Sequence, residues 1–267
     1  MSLIVCVFVG EGIVLASDSR STYNRVEETK EKKIQTLGIH TTDTTYKTFL
    51  CPNNIGISVC GEVSIDNKPM TGYIEAFIRE QMGPDTDIDT VPEALIQYFN
   101  TFKDVPNSNF FVAGYKKVGS AVGSGRPGST DGPAGTRSPS VITSAAGSNS
   151  VYEKRLWNLN IKSKKIKREG TENQGASWSG EVDVLARLLS PAEIRKPDGT
   201  TVSFKAYDIS WNYFTLQDAV DFAEFAIRTT VDTMKVQNRL KTVGGPIDIL
   251  ILKPGEAYWL QRKVLSV

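Results

Sequence analysis

The residue best placed to do chemistry is the second one, Ser2. It follows Met1 and precedes a strongly apolar run at residues 3–9. Removal of Met1 would leave Ser2 with a free α-amine beside its own hydroxyl, and that pair is a nucleophile with a built-in base. Because serine is small enough for methionine aminopeptidase to act, we expect that cleavage. A retained Met1 would block the amine.

The residues of other common catalytic centres are scarce. His40 is the only histidine, and its polar surroundings predict a solvated loop residue. A Ser-His-Asp triad or a multi-histidine metal site would depend on it alone. Cys6, Cys51 and Cys60 form no Cys-x-x-Cys pair, which favours reduced thiols over a zinc site. We therefore expect no metal and no cofactor, and an amine or a carboxylate as the base.

Charge and length narrow the class of protein further. The chain has 31 Lys and Arg against 30 Asp and Glu, which gives no general case for a nucleic-acid or membrane partner. Gly10, Glu11 and Asp18 interrupt the first apolar run well short of a membrane span, and no basic region precedes it. We expect a cytoplasmic protein. A length of 267 residues, 40% of them hydrophobic, favours a single domain.

The elements that position Ser2 are predicted to be runs of strands that alternate along the chain with pairs of helices. Val- and Ile-rich runs on either side of residues 10–12 predict a β-hairpin. Further strands are predicted at residues 47–51, 55–61, 109–115, 151–160, 164–167, 247–252 and 257–260, and helices at 73–82, 91–99, 181–189 and after a Thr215 cap. Segregated runs of strands and helices favour a layered α+β domain.

Residues 119–149 differ in composition from the rest of the chain. They are rich in Gly, Ser, Pro and Thr and lack the Gly-Lys-Ser/Thr ending of a phosphate-binding loop. This composition predicts a flexible surface insertion within one domain that spans residues 1–267.

The order of these features resembles the N-terminal nucleophile hydrolases, and within them the proteasome β-subunits. Ser2 takes the place of the N-terminal nucleophile. Asp18-Ser19-Arg20 takes the place of the acidic-x-basic element that ends the second strand. Lys47 precedes a strand, a turn and a strand ending at Gly61, as the active-site lysine of that family does.

Two later segments extend the resemblance. Gly244-Gly245-Pro246-Ile247-Asp248 matches the late Gly-Gly-x-Ile-Asp strand, and residues 175–180 read Gly-x-Ser-x-x-Gly. Together they look closest to the bacterial proteasome-like group called Anbu. One feature departs from the family, which usually carries an acidic residue and a serine just before the Gly-Gly. The chain has Leu240 and Thr242 or Val243 there, so that acidic residue is missing.

The resemblance implies a four-layer αββα sandwich that hydrolyses peptide bonds. Ser2 would attack the scissile carbonyl, with its α-amine, of pKa about 7.7–8.0, moving the proton. Lys47 would lower the pKa of the hydroxyl through its charge or take its proton, and Asp18 would orient Lys47. The Gly61 N–H would supply the oxyanion hole. Ser177 would hydrogen-bond near the amine, or it would cap the helix that follows.

The resemblance also implies identical subunits in a ring or open spiral that acts on peptides or unfolded proteins. Whether an ATP-dependent unfoldase serves the assembly is left open. One alternative is a catalytically inactive proteasome-like structural subunit, which a retained Met1 would favour. The other is an amidohydrolase of the same superfamily that acts on a small amide and needs no chamber.

Overall fold

The protein was analysed as a computed structural model, which describes residues 2–28, 33–120, 142–143 and 150–265. The strands are β1 Leu3–Phe8, β2 Ile13–Ser17, β3 Ser21–Glu28, β4 Lys33–Thr42, β5 Thr48–Cys51, β6 Ile55–Gly61, β7 Ser64–Ile65, β8 Lys68–Pro69, β9 Ser108–Ser120, β10 Ile142–Thr143, β11 Ser150–Asn160, β12 Lys165–Arg168, β13 Gly175–Gly180, β14 Ala192–Arg195, β15 Thr201–Phe204, β16 Asp248–Lys253 and β17 Glu256–Gln261. The helices are α1 Met70–Gln81, α2 Val91–Phe99, α3 Asp183–Leu189 and α4 Leu216–Val236. Most of the predicted insertion at 119–149 lies outside the described residues.

The first sheet places the start of the chain among its inner strands. Its five antiparallel strands follow the order β13-β1-β2-β16-β17. Every residue of β1 and β2 is buried, because both faces of the sheet are covered. Successive side chains of a strand alternate between faces: Val5 and Val7 pack with the cluster under α3 and α4, whereas Ile4 and Cys6 face the second sheet.

The second sheet has six strands, in the order β10-β11-β9-β6-β5 with β12 also paired to β11. Helices α1 and α2 cover its outer face, where Phe77 and Phe99 pack with Ile57 and Phe110. The inner face meets the first sheet, with Phe111 against the cluster that contains Ile4 and Cys6. The order of layers is therefore helices, sheet, sheet, helices. This confirms the predicted α+β, four-layer αββα architecture.

Several local predictions are confirmed and others need correction. Thr215 caps α4 in a capping box with Asp218, as its sequence context predicts. His40, predicted to lie in a loop, lies in β4 opposite Tyr23 and is exposed. The β-branched threonines around it favour a strand, so the polar stretch pairs as a hairpin.

Candidate active site

Ser2 lies at the entry to β1, an apolar inner strand of the first sheet. It is 1% exposed, and its hydroxyl has no hydrogen-bond partner among the described residues. Its carbonyl accepts a hydrogen bond from the Glu181 N–H at 2.8 Å, which joins it to the end of β13. Buried polar atoms are almost always satisfied, so this free hydroxyl marks a place where a reacting group can bind.

Asp18 joins four separate parts of the site. It follows β2 and is fully buried. Its Oδ1 accepts hydrogen bonds from the Leu3 N–H at 3.0 Å and from Lys47 Nζ at 2.8 Å. Its Oδ2 accepts from the N–H groups of Arg20 at 3.1 Å and Gly244 at 3.0 Å. The carboxylate thus fixes the residue after Ser2, the lysine and the Gly-Gly loop relative to one another.

Lys47 precedes β5, and its side chain is only 2% exposed. Its Nζ also donates to the Arg20 carbonyl. Burial lowers the pKa of Lys47, while the neighbouring Asp18 opposes that shift. Ser2, Lys47 and Gly61 line one cavity of about 20 Å³, large enough for about one water molecule. Ser2 and Lys47 are therefore neighbours around the same small space.

Two glycines allow the close packing around Ser2. Gly61 ends β6 with φ +112°, and a Cβ there would lie 2.6 Å from the Asn107 carbonyl oxygen. Gly180 ends β13 with φ +104°, and a Cβ there would lie 1.8 Å from the Ser2 carbonyl oxygen. Only glycine fits either backbone. Gly180 was not predicted as a site residue, although it ends the Gly-x-Ser-x-x-Gly segment.

The structure does not bring Ser177 to Ser2. In the register of β1 and β13, Ser177 lies opposite Cys6, which is four strand residues, or roughly 13 Å, from Ser2. Nor does Ser177 cap α3, because the residue at the cap is Val182 and no side chain bonds there. Both predicted roles of Ser177 are therefore wrong, since the pairing register places it in the middle of the strand.

Ser179 is the serine of this segment that lies nearer to the entry of β1. It is buried at the end of β13, opposite Ile4. Its hydroxyl oxygen accepts hydrogen bonds from Cys60 Sγ at 3.4 Å and from Asn109 Nδ2 at 3.2 Å. Burial raises the pKa of the Cys60 thiol to about 11, so the thiol donates this bond. Ser179 therefore links the Gly180 turn to the end of β6.

A buried carboxylate that the sequence analysis missed lies beside the backbone of Ser2. Glu181 is 7% exposed. Its Oε1 accepts from Arg239 at 2.9 Å, and its Oε2 accepts from the Thr242 hydroxyl at 3.1 Å. Leu240, at the position of the expected acid, is exposed. The structure thus places a buried carboxylate directly after β13, at a position that no local sequence pattern identifies.

A second buried lysine–aspartate pair lies next to the first. Asp248 in β16 is the register partner of Ser17, the residue before Asp18. The Lys263 N–H donates to Asp248 Oδ1 at 2.8 Å, and Lys263 Nζ donates to Oδ2. The same Nζ lies 4.4 Å from the centre of the Tyr46 ring. Burial lowers the pKa of Lys263. Nothing in the sequence distinguishes this lysine from those on the surface.

The described residues show neither a metal-ligand cluster nor a membrane-spanning helix. In them, no three His, Cys, Asp or Glu residues group as metal ligands would. None of their helices has the length and apolarity needed to cross a bilayer. Cys6, Cys51 and Cys60 are buried free thiols.

The four-layer sandwich of two sheets between helices has a proteasome-like fold. Among solved structures, a Gly-1 mutant of Anbu from Hyphomicrobium sp. strain MC1 matches with a TM-score of 0.51 and 13% identity, over 98% of this chain and 86% of that one. Anbu from Yersinia bercovieri, described as an ancestral β-subunit, matches with a TM-score of 0.50 and 13% identity, over 97% and 86%. No family model and no curated protein matches the chain. The resemblance to Anbu is thus confirmed at the level of the fold.

Proposed function

We propose that the chain is a proteasome-like peptidase whose nucleophile is Ser2, exposed by removal of Met1. The observation that carries this proposal is the orphaned, fully buried hydroxyl of Ser2 in a cavity that it shares with Lys47. A hydroxyl held in that state has no evident structural role, because a structural serine would use its hydroxyl in a hydrogen bond.

In the proposed reaction, Ser2 Oγ attacks the scissile carbonyl carbon and passes its proton to the α-amine. The carbonyl oxygen becomes an oxyanion, which the Gly61 N–H stabilises. Collapse of this intermediate breaks the C–N bond, and the leaving amine takes the proton from the α-ammonium. A water molecule, deprotonated by the α-amine, then attacks the carbonyl carbon of the ester on Ser2. The bond from that carbon to Ser2 Oγ breaks, the acid product leaves, and the α-ammonium returns the proton to Oγ.

Lys47 supports this reaction through its charge. Asp18 and the Arg20 carbonyl both accept hydrogen bonds from its Nζ, which favours the ammonium form and fixes its position. A positive charge about 4 Å from the reacting oxygen, at an effective dielectric near 20, is worth on the order of 4 kcal/mol to a developing alkoxide. In this proposal Asp18 positions Lys47 and does not touch substrate.

The open space beside Ser2 favours a peptide over a small amide as substrate. A cleft of about 820 Å³ adjoins the Ser2 cavity, more than a small amide would fill. We propose that identical subunits form a ring or open spiral in the cytoplasm, as the β-subunit fold suggests. An unfolded protein is then the expected substrate, and an ATP-dependent unfoldase a candidate partner.

Three preparations test the proposal: wild type, Ser2→Ala and Ser177→Ala. We expect intact mass to show a chain without Met1, and we expect wild type and Ser177→Ala to cleave fluorogenic peptides while Ser2→Ala does not. Ser177 is the matched serine control because it lies in β13 away from Ser2. Light scattering on the same samples reports the assembly.

Two results would contradict the peptidase. One is equal hydrolysis by wild type and Ser2→Ala. The other is no hydrolysis by a chain whose N-terminus is shown to be Ser2. Retained Met1 in an inert oligomer would support the structural-subunit alternative instead.

A further inference from the structure

The cleft beside Ser2 is continuous with the proposed reaction site. Cys60, Gly61, Glu62 and Val63 line both the Ser2 cavity and this cleft. Its volume of about 820 Å³ is within the usual range for pockets that bind ligands. A chain whose carbonyl reaches Ser2 would therefore continue through the cleft.

All charged side chains that line the cleft are carboxylates: Glu62, Asp66 and Asp104. They come from the end of β6, from the turn between β7 and β8, and from the segment before β9. All three are exposed, and none is in an ion pair within the part of the chain that the structure describes. The negative charge in the cleft is thus left unneutralised.

Glu62 is held in place at the junction with the Ser2 cavity. Its Oε2 accepts a hydrogen bond from the Asn107 N–H at 2.6 Å. That bond fixes the carboxylate one residue from Gly61, whose N–H is the proposed oxyanion donor. A cation that binds Glu62 would therefore lie close to the scissile bond.

A buried hydroxyl provides an independent sign that the cleft binds a ligand. Thr22 lines the cleft and is only 5% exposed, and its Oγ1 has no hydrogen-bond partner among the described residues. Ser2 Oγ is in the same state in the adjoining cavity. A buried polar atom without a partner points to a group supplied from outside. A peptide backbone carries such groups at every residue.

We propose that this cleft selects peptide segments that carry a Lys or Arg side chain. The cation lies among Glu62, Asp66 and Asp104, while the Thr22 hydroxyl hydrogen-bonds the backbone of the segment. This inference rests on the proposed function, because it names the substrate class of the same site. A bound metal ion is not the favoured occupant, because these carboxylates do not converge as metal ligands do among the described residues.

The test uses peptides that differ at one position, which holds Lys, its neutral analogue norleucine, or Glu. The position is moved along both sides of the scissile bond. At the best position we expect wild type to cleave the Lys peptide about fivefold faster in kcat/KM than the norleucine peptide, as exposed ion pairs allow. The Glu peptide should be cleaved more slowly than either, and added salt should reduce the preference.

Two triple variants separate a specific effect from a change in net charge. Glu62→Gln/Asp66→Asn/Asp104→Asn removes the carboxylates of the cleft and should abolish the preference for Lys, so that this variant cleaves the Lys and norleucine peptides at equal rates. Asp85→Asn/Glu93→Gln/Asp208→Asn neutralises three exposed carboxylates elsewhere and should keep the preference. Binding of the same labelled peptides to Ser2→Ala, measured by fluorescence anisotropy, gives a readout that needs no hydrolysis.

The outcomes separate this inference from the proposed function. Hydrolysis with no charge preference, together with equal binding to Ser2→Ala, overturns the inference and leaves the peptidase standing. If the Lys peptide binds more tightly than the others but wild type hydrolyses none of them, the proposed selectivity of the cleft is supported and the proposed peptidase activity is wrong. A preference that survives in the cleft triple variant also overturns the inference, because the charge would then be recognised elsewhere.

Discussion

Two buried lysine–aspartate pairs have their aspartates at neighbouring strands of the first sheet, Asp18 directly after β2 and Asp248 in β16, yet their surroundings differ. Lys47, which pairs with Asp18, lines a cavity that Ser2 also lines. The pair of Lys263 and Asp248 lies against the Tyr46 ring and ties the end of the chain to β16. The same two residue types thus present a charge beside the proposed nucleophile in one case and hold the segment after β17 in the other.

The hydrogen bonds of the two aspartates show the same difference. Asp18 accepts from three backbone N–H groups as well as from its lysine. Asp248 accepts only from the N–H and Nζ of Lys263 among the described residues. Burying an ion pair is costly unless further hydrogen bonds satisfy it. The fuller set on Asp18 is what a pair held rigidly for a reaction requires.

The largest expected contrast is in activity. Lys47→Ala should lower kcat/KM by roughly 10²- to 10³-fold, because the developing alkoxide loses part of a stabilisation of about 4 kcal/mol. Lys263→Ala should lower it by less than about tenfold, because this lysine does not line the Ser2 cavity. Peptide hydrolysis, with thermal melts to account for stability, measures both. If the two variants lose equal activity, the distinction between the pairs is wrong.

The next contrast is in stability. Asp18→Ala and Asp248→Ala each leave a buried lysine unpaired, which costs about 3–5 kcal/mol. Asp18→Ala also leaves three backbone N–H groups without their acceptor, whereas Asp248→Ala leaves one. At about 1 kcal/mol per hydrogen bond, Asp18→Ala should therefore lower the free energy of unfolding by about 2 kcal/mol more than Asp248→Ala. Urea denaturation of both variants gives the difference. Equal losses would show that the extra bonds of Asp18 contribute nothing.

The smallest expected effect is a shift in the pH profile. Burial holds the pKa of Lys47 below its ordinary value of 10.5, and the positive charge of Lys263 adds to that lowering. Activity that needs charged Lys47 should therefore fall with rising pH before an ordinary lysine would titrate. Removing the Lys263 charge favours protonation of Lys47, so Lys263→Met should move this basic limb to higher pH.

The matched control for the pH profile is Lys253→Met. Lys253 is a partly buried lysine over the Tyr258 ring, and it is not among the groups that shift the pKa of Lys47. In the pH profile of kcat/KM, the basic limb of Lys253→Met should therefore lie at the same pH as that of wild type. A basic limb that does not move in Lys263→Met would show that the two pairs act independently.

Many of the strands and helices could be predicted because the residue patterns that favour them are local in the sequence. Val- and Ile-rich runs predict β1 and β2, and the Thr215 context predicts the capping box of α4. The order of Ser2, Asp18, Lys47 and Gly61 carries the resemblance to the N-terminal nucleophile hydrolases, and that resemblance predicts that these residues share one site. Asp18 and Lys47 do form an ion pair at 2.8 Å.

The missed residues depend on pairing that no local pattern encodes. Ser177 and Ser179 both look suitable, and only the register of β13 on β1 decides that Ser179 lies near the entry. Glu181 bonds to Thr242, and Lys263 to Asp248. Those contacts arise when distant segments meet, so the sequence around each residue gives no sign of them.

The central claim is that the free amine and the hydroxyl of Ser2 react as a unit. The most direct measurement is mass spectrometry after treatment with a peptide epoxyketone, whose ketone and epoxide react with a neighbouring hydroxyl and amine. The account predicts one adduct per chain, mapped to a tryptic peptide that begins at Ser2, and none on Ser2→Ala. An unmodified N-terminal peptide from chains that begin at Ser2, or an adduct mapped elsewhere, would contradict it.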